Sequence, residues 1–354
     1  MKNFYPLEVS EIVSLTNDSV CIHFDVSNLD NNIFSFVAGQ YITIQHFIND
    51  EDIRRSYSIS CMPDKNKIEI GVKLVKNGLM STYLTQQLKI GDKINVMPPT
   101  GNFILKTNEN NTKEYMAVCA GSGITPALSM IQDVLHNEPN SSFTLLYGNK
   151  SRSSVMFVDE LLKLEKDFQS QFFVYYFFSR ENVQNCIHSR INKSNLDIIF
   201  KENESYKSFD KYFICGPGEM IDEVSSYLSE ASIDNEKILF ERFGTISKTE
   251  EKADSEKVQE TVSSVTVSVD GDDFEFALSS SGETILDAAM QAGADVPFSC
   301  KGGVCCVCKA KVLEGDVAMD QNFSLSEDEV SQGFILACQA HPKSENVVVD
   351  FDEI

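Results

Sequence analysis

The sequence predicts a multidomain protein: an antiparallel β-barrel, then an α/β domain with a parallel sheet, then a small α+β domain. Three observations predict it. Polar and apolar residues alternate through the first hundred positions, between turn signals. From 112 to 245, apolar runs alternate with amphipathic stretches, the pattern of a parallel sheet covered by helices. Near the C-terminus, Cys300, Cys305 and Cys308 form a C-x4-C-x2-C run, and Cys338 follows after 29 intervening residues. With 354 residues the chain has room for two or three domains. The boundaries expected are 1–108, 109–245, a linker at 246–262, and 263–354.

In the barrel, the run Lys67 to Leu74 alternates strictly, and Asn28 to Asn32, Asn77-Gly78 and Pro98-Pro99-Thr100-Gly101 read as turns. Two segments stand out. In Arg54-Arg55-Ser56-Tyr57-Ser58, alternation puts Arg55, Tyr57 and Ile59 on one face and the serines on the other. The second is Gly78-Leu79-Met80-Ser81-Thr82. A cation for phosphate, a ring for stacking and hydroxyls for hydrogen bonds suit a flavin nucleotide. An ordinary surface strand with an exposed tyrosine carries the same residues.

The second domain is expected to have strands at Tyr115–Cys119, Phe143–Tyr147, Phe172–Phe178, Tyr212–Cys215 and Ile238–Phe240, with helices at Pro126–Leu135, Val158–Phe168 and Glu219–Leu228. The first strand runs into Gly121-Ser122-Gly123-Ile124-Thr125-Pro126. A glycine turn at a helix N-terminus is an anion site, and Pro126 suits the first helical position. The dinucleotide fingerprint G-x-G-x-x-G fails at its last glycine. The next strand ends in Lys150-Ser151-Arg152 where an NAD-specific site would carry an acid, so the cations point to NADPH over NADH. Cys215-Gly216-Pro217 again ends a strand and opens a helix. This places Cys215 near the nicotinamide, unless it is a plain buried thiol.

The last domain is expected to hold a hairpin (Val265–Val269, turn Asp270-Gly271, Phe274–Leu278), a helix Thr284–Ala292 stopped by Gly293, and a final strand Val347–Phe351. The cysteine spacing is that of plant-type [2Fe-2S] ligands. Gly302 and Gly303 let the loop turn and bring N–H groups near the sulfurs. A structural zinc site is the competing reading, but such sites usually carry two C-x2-C knuckles, and here there is one.

Ten cysteines without an export-signal core fit a reducing, cytoplasmic setting. No apolar run is long enough for a membrane span. The net charge is −23, and residues 263–354 hold 17 acids and 4 bases, a net of −13. This excludes nucleic acid as a partner. It fits transient docking on a basic protein surface, and it equally fits plain solubility.

Together these segments resemble ferredoxin-NADP reductase-type flavoproteins with a C-terminal plant-type [2Fe-2S] ferredoxin domain, the reductase components of bacterial multicomponent oxygenases. The matching motifs come in the family's order: Gly39-Gln40-Tyr41, Arg55-x-Tyr57-Ser58, Gly78-x-x-Ser81-Thr82, Gly121-x-Gly123-x-Thr125-Pro126, Cys215-Gly216-Pro217, Glu241-Arg242-Phe243, then the cysteines. The run Cys300 to Cys305 and the tail Val347 to Asp352 resemble the reductase subunits of phenylacetyl-CoA epoxidases, with those of ketosteroid hydroxylases next.

The resemblance implies FAD, NADPH and [2Fe-2S] as cofactors and a β-grasp fold for the last domain. The catalytic set it implies is Tyr57, Ser58, Cys215 and Glu241. Arg55, Gly78, Met80, Ser81 and Thr82 would hold the flavin pyrophosphate, with Tyr57 packed on the flavin ring and Ser58 bonded to its hydride-accepting nitrogen. Lys73, Gly121, Gly123, Pro126, Gly216 and Pro217 would help bind cofactor, and Thr125 and Cys215 would flank the nicotinamide. Lys150, Ser151, Arg152, Ser179 and Arg180 would surround the adenosine phosphate, and Glu241 and Phe243 would lie beside the flavin. Cys306 is an extra thiol that the spacing excludes as a ligand in favour of Cys305. The implied relay ends at the di-iron oxygenase component of a phenylacetyl-CoA epoxidase-like complex, docked transiently through the acidic ferredoxin domain. A Rieske-type hydroxylase or a desaturase as client, or an iron–sulfur and flavin redox sensor, are the alternatives.

Overall fold

A computed structural model describes residues 4–29, 33–64, 66–243 and 262–353. The expected linker falls outside these residues, apart from Val262, which already belongs to a strand. The chain divides into two compact units: one runs to Phe243 and holds the barrel and the parallel sheet, and the other holds the C-terminal domain.

The barrel comprises β1 (Tyr5–Thr16), β2 (Ser19–Asp25), β3 (Tyr41–Ile48), β4 (Glu51–Ser58), β5 (Lys67–Lys73), helix α1 (Leu79–Gln86) and β6 (Lys93–Thr100). Its six strands run in the order β4-β3-β6-β1-β2-β5, all antiparallel. An Ile59–Ile70 bridge just past β4 joins the two edges. The period-2 pattern explains the interior: Ile68, Ile70 and Val72 of β5 and Ile22 and Phe24 of β2 are fully buried, while the residues between them face outward.

One expectation needs correction. Pro98, Pro99 and Thr100 are not a turn but the end of β6. Pairing with β3 jumps between Tyr41–Thr100 and Thr43–Met97, and that irregularity accommodates prolines that cannot donate to a ladder. Asn77-Gly78 turns the chain as expected, with Asn77 at φ 63°, and α1 follows.

The α/β domain comprises β7 (Glu114–Ala120), α2 (Ile124–Asn137), β8 (Ser142–Asn149), α3 (Val158–Asp167), β9 (Phe172–Phe178), α4 (Lys193–Glu202), β10 (Lys211–Gly216), α5 (Gly218–Glu230) and β11 (Ile238–Arg242). The five strands are parallel, in the order β11-β10-β7-β8-β9. Alternate residues of β7 face opposite layers. Tyr115, Ala117 and Cys119 pack with α2 and α3, and Met116 and Val118 pack with α4 and α5. Both faces are therefore apolar, as a helix-covered parallel sheet requires. Phe103, which follows β6, stands edge-on to Phe213 of β10 at 5.6 Å and ties the barrel to the sheet.

The C-terminal domain comprises β12 (Val262–Val269), β13 (Asp272–Ser279), α6 (Ile285–Gln291), β14 (Lys309–Glu314), β15 (Val317–Met319), α7 (Glu327–Ser331), β16 (Phe334–Leu336), β17 (Ala340–Pro342) and β18 (Asn346–Asp350). Its main sheet runs β13-β12-β18-β14-β16, with β12 and β18 parallel. Asp270 (φ 54°) and Gly271 (φ 82°) form the hairpin turn, the left-handed pair such a tight connection demands. Thr284 caps α6 by accepting from the Asp287 amide, and α6 sets Ile285, Leu286 and Ala289 against Val265 and Val267 of β12.

Candidate functional sites

The cysteine loop lies between α6 and β14. Cys305, Cys308 and Cys338 are buried and Cys300 is half-buried. The four thiols stand as two hydrogen-bonded pairs, Cys300 with Cys305 and Cys308 with Cys338. In each pair one sulfur is drawn below the ordinary thiol range by its partner's hydrogen bond and by nearby N–H groups. For Cys300 these include the Gly302 amide at 3.3 Å, and for Cys338 they include Gln339 and the Gly303 amide. Gly303 reaches this position at φ 73°.

Among the described residues, the four sulfurs do not converge as a single-ion site; the one group of three ligand atoms that does is Cys21, His23 and Glu69. Two thiol pairs lined with N–H donors fit a two-iron cluster better than one zinc ion. Cys306 turns away from the pairs: its backbone is left-handed (φ 48°) and its thiol donates to the Ser324 carbonyl at 3.1 Å. Ser324 in turn donates to the Gly303 carbonyl, so Cys306 helps hold the cysteine loop.

On the barrel, the adjacent arginines diverge. Arg54 is buried in an ion pair with Asp52 at 2.8 Å. Arg55 is exposed, its guanidinium donating to the Arg54 carbonyl. Tyr57 is half-buried, and crowding by protein pushes its phenol up. Ile59, expected on the same face, is wholly buried beyond the strand end.

The Gly78 loop is braced by Ser81, whose hydroxyl accepts from the Val75 amide and donates to the Gly78 carbonyl. Met80 points into the barrel core and the Thr82 amide bonds to Gly78. What this segment can offer an anion is thus the first-turn amides of α1, which have no helical acceptor.

Ser58 lies at the end of β4 and donates to the Glu241 carboxyl of β11 at 3.2 Å. Glu241 keeps a sliver of surface, but protein surrounds it, and this desolvation pushes its carboxyl up to about 8. Cys215 stands beside Glu241 in the sheet register and is fully buried, its thiol raised by that burial.

A cavity of about 600 Å³ opens at the carboxyl ends of the parallel strands, where open sheets take their ligands. Gly121, Gly216, Pro217, Lys73, Lys150, Ser179, Arg180 and Phe243 line it, as does Arg190, which sequence reasoning missed. Gly123, Thr125, Pro126 and Cys215 lie behind the wall. Thr125 donates to the Ser122 carbonyl. A Cβ on Gly123 would overlap the Cys215 carbonyl, so the two loops are pressed together. Ser151 and Arg152 are also outside the lining. Ser151 and Ser154 form a capping box, and the Arg152 amide is held by Glu181. Asn149 lines the cavity, and its side-chain amide nitrogen is buried without an acceptor. An orphan donor among four cations fits a phosphorylated nucleotide.

Three family models match the chain in this order: an oxidoreductase FAD-binding domain over residues 6–104, an oxidoreductase NAD-binding domain over 117–226, and a 2Fe-2S iron–sulfur cluster binding domain over 267–343. A 1,2-phenylacetyl-CoA epoxidase component from Escherichia coli (strain K12) is 38% identical over 353 residues, 99% of each chain. The chain belongs to this family of FAD-, NAD- and [2Fe-2S]-binding oxidoreductases. The ferredoxin reductase component of 3-ketosteroid-9-alpha-monooxygenase from Rhodococcus rhodochrous is 29% identical, with 98% of this chain and 96% of that protein covered.

Phthalate dioxygenase reductase has the same modular fold, with a TM-score of 0.61 at 23% identity and 98% of both chains covered. In the terms of this oxidoreductase family, the cavity belongs to the NAD-binding domain and the two thiol pairs to the iron–sulfur domain. Arg190 escaped notice because it lies in the irregular segment after β9. The Phe177–Ile187 bridge and the packing of Ile191 near Gly148 carry it to the cavity. Among the described residues, no helix is long and apolar enough to cross a membrane.

Proposed function

We propose that this chain is the cytoplasmic reductase component of a multicomponent oxygenase, carrying electrons from NADPH through FAD and a [2Fe-2S] cluster to the di-iron oxygenase of a phenylacetyl-CoA epoxidase. The end-to-end 38% identity to a component of such an epoxidase carries the reading. When bound, the nicotinamide supplies a hydride, the flavin converts the pair to single electrons, and the cluster passes them on.

The chain's own residues bind and orient these groups. Arg55 and the first-turn amides at 79–81 neutralise the flavin pyrophosphate. Tyr57 packs on the flavin ring, and Ser58 offers its hydroxyl to the ring. Glu241, holding its proton near neutral pH, sets the direction of that hydroxyl. Gly121 and Gly216 keep the cavity floor free of side chains, and Thr125 and Cys215 support it from behind. Lys150, Arg180 and Arg190 present the cations, and Ser179 a hydroxyl, that select a 2′-phosphate. Cys300, Cys305, Cys308 and Cys338 hold the cluster, with Cys306 bracing the loop. The acidic surface of the last domain, including Glu327, Asp328 and Glu329 at the start of α7, docks transiently on a basic face of the oxygenase.

The test is reconstitution. Purified holoprotein should show flavin and iron–sulfur absorption, reduce an artificial acceptor with NADPH in preference to NADH, and support epoxidation of phenylacetyl-CoA when mixed with the oxygenase components. Full acceptor reduction without any epoxidation would overturn the choice of client. A ketosteroid hydroxylase is the second reading, favoured by the 29% relative.

A further inference from the structure

The outer face of the barrel carries a group of metal-ligating side chains that the electron relay does not use. Cys21 and His23 alternate on β2 and so point the same way, outward. Across the sheet, His23 pairs with Glu69 of β5 on one side and with Glu11 of β1 on the other. The Glu11 pairing depends on a β-bulge. Val9 opposes Phe24, and with regular pairing Ser10 would then oppose His23; the register shift after Val9 brings Glu11 there instead.

The two His23 distances are those between ligands of one ion. The His23 ring nitrogen is 3.5 Å from a Glu69 oxygen and 3.7 Å from a Glu11 oxygen. The Cys21 sulfur, the His23 nitrogen and the Glu69 oxygen all lie within 4.8 Å of one another. Tetrahedral zinc with bonds of about 2.0–2.3 Å sets its ligands roughly 3.3–3.8 Å apart.

We propose that Cys21, His23 and Glu69 form a second metal site, on the barrel, for a divalent cation of the zinc class, with the exposed Glu11 carboxylate at its rim beside His23. One thiolate, one imidazole and one carboxylate suit a borderline-soft ion and exclude calcium and magnesium, which take oxygen ligands. The other reading of this thiol beside an imidazole and a carboxylate is a nucleophile. Cys21 is 3% exposed, out of reach of a substrate, so it is no nucleophile. Glu69 is held by Lys67, whose ammonium donates at 2.6 Å. Lys67 therefore occupies the charge position that the cation takes, and the two compete. A bound ion ties β2 and β5 together across the sheet.

The experiment is zinc titration of the holoprotein with its flavin and cluster intact, followed by calorimetry and by zinc analysis after desalting. One equivalent of zinc is expected, with the cluster absorption unchanged. Cys21→Ser and His23→Gln should each weaken binding by at least ~100-fold, and Lys67→Met should tighten it. Equal zinc uptake by wild type and both ligand variants, or no uptake at all, would overturn the proposal. If Cys21→Ser fails to fold, cadmium-113 resonance on the wild-type holoprotein decides. A shift typical of a single-thiolate site supports the proposal, and an all-oxygen shift sinks it.

Discussion

The Ser58 hydroxyl and the Glu241 carboxyl, 183 positions apart in sequence, are joined by a hydrogen bond of 3.2 Å between the barrel and the last strand of the parallel sheet. A carboxyl raised to about 8 is protonated at neutral pH and can itself donate a hydrogen bond. Flavin reduction by NADPH should therefore slow as pH rises through about 8, and Glu241→Gln should flatten the profile. Ser58→Ala should lower the rate by about 10²-fold or more at every pH. Anaerobic stopped-flow reduction from pH 6 to 9.5 measures all three.

The same carboxyl makes stability depend on pH. Its folded value lies above the ordinary 4.5, so the native state binds the proton more tightly than the unfolded chain. That contribution is fully present below 4.5 and is lost as pH rises through about 8. The melting temperature of flavin-free protein should fall between pH 5 and 9, and the Glu241→Gln variant should lose most of that slope in scanning calorimetry.

Replacing Cys300, Cys305, Cys308 or Cys338 by serine should each remove the iron–sulfur absorption and the acid-labile sulfide. Cys306→Ser should keep both, because a hydroxyl still donates to the Ser324 carbonyl. Cys306→Ala should also assemble the cluster, but lose about 1 kcal/mol of domain stability.

Arg180→Ala and Arg190→Ala should raise KM for NADPH by about 10–100-fold, the worth of one charge-assisted hydrogen bond, and leave KM for NADH nearly unchanged. Arg152→Ala should change the NADPH value far less, because its side chain is outside the cavity wall. Steady-state kinetics with both coenzymes separates these outcomes.

Gly123→Ala should destabilise the flavin and nucleotide unit by roughly 1–3 kcal/mol or prevent its folding, since the added carbon meets the Cys215 carbonyl. Gly121→Ala has open space for its Cβ, but its φ of 56° strains any side chain there, so a loss of about 1 kcal/mol is expected. Thermal melts of the two variants rank them.

The architecture was legible wherever periodicity is long. The run Phe172–Phe178 is aromatic and β-branched throughout, and it forms β9 over those same bounds. The helix Val158–Phe168 ends within one residue of α3. Short elements were not legible: β15, β16 and β17 have three residues each, too few for any period to show. Helix α4 was missed because its charged residues blur the apolar stripe, although Asn192 caps it by accepting from the Asn195 amide. Sites built by local turns, such as Gly121–Gly123 and the cysteine loop, could be read directly. The meeting of Ser58 with Glu241 and the reach of Arg190 into the cavity depend on strand order, which no local pattern encodes.

The pressing of Gly123 against the Cys215 carbonyl divides the nucleotide cavity into two halves with different freedom to change. The half built from the loops after β7 and β10 is a keystone: two backbones share one space, and a side chain added at Gly123 would dislodge both. The other half, carrying Lys150, Arg180 and Arg190, offers long side chains from surface loops. Change at this cavity can therefore enter from one side only, through the long side chains, while the glycine side stays locked.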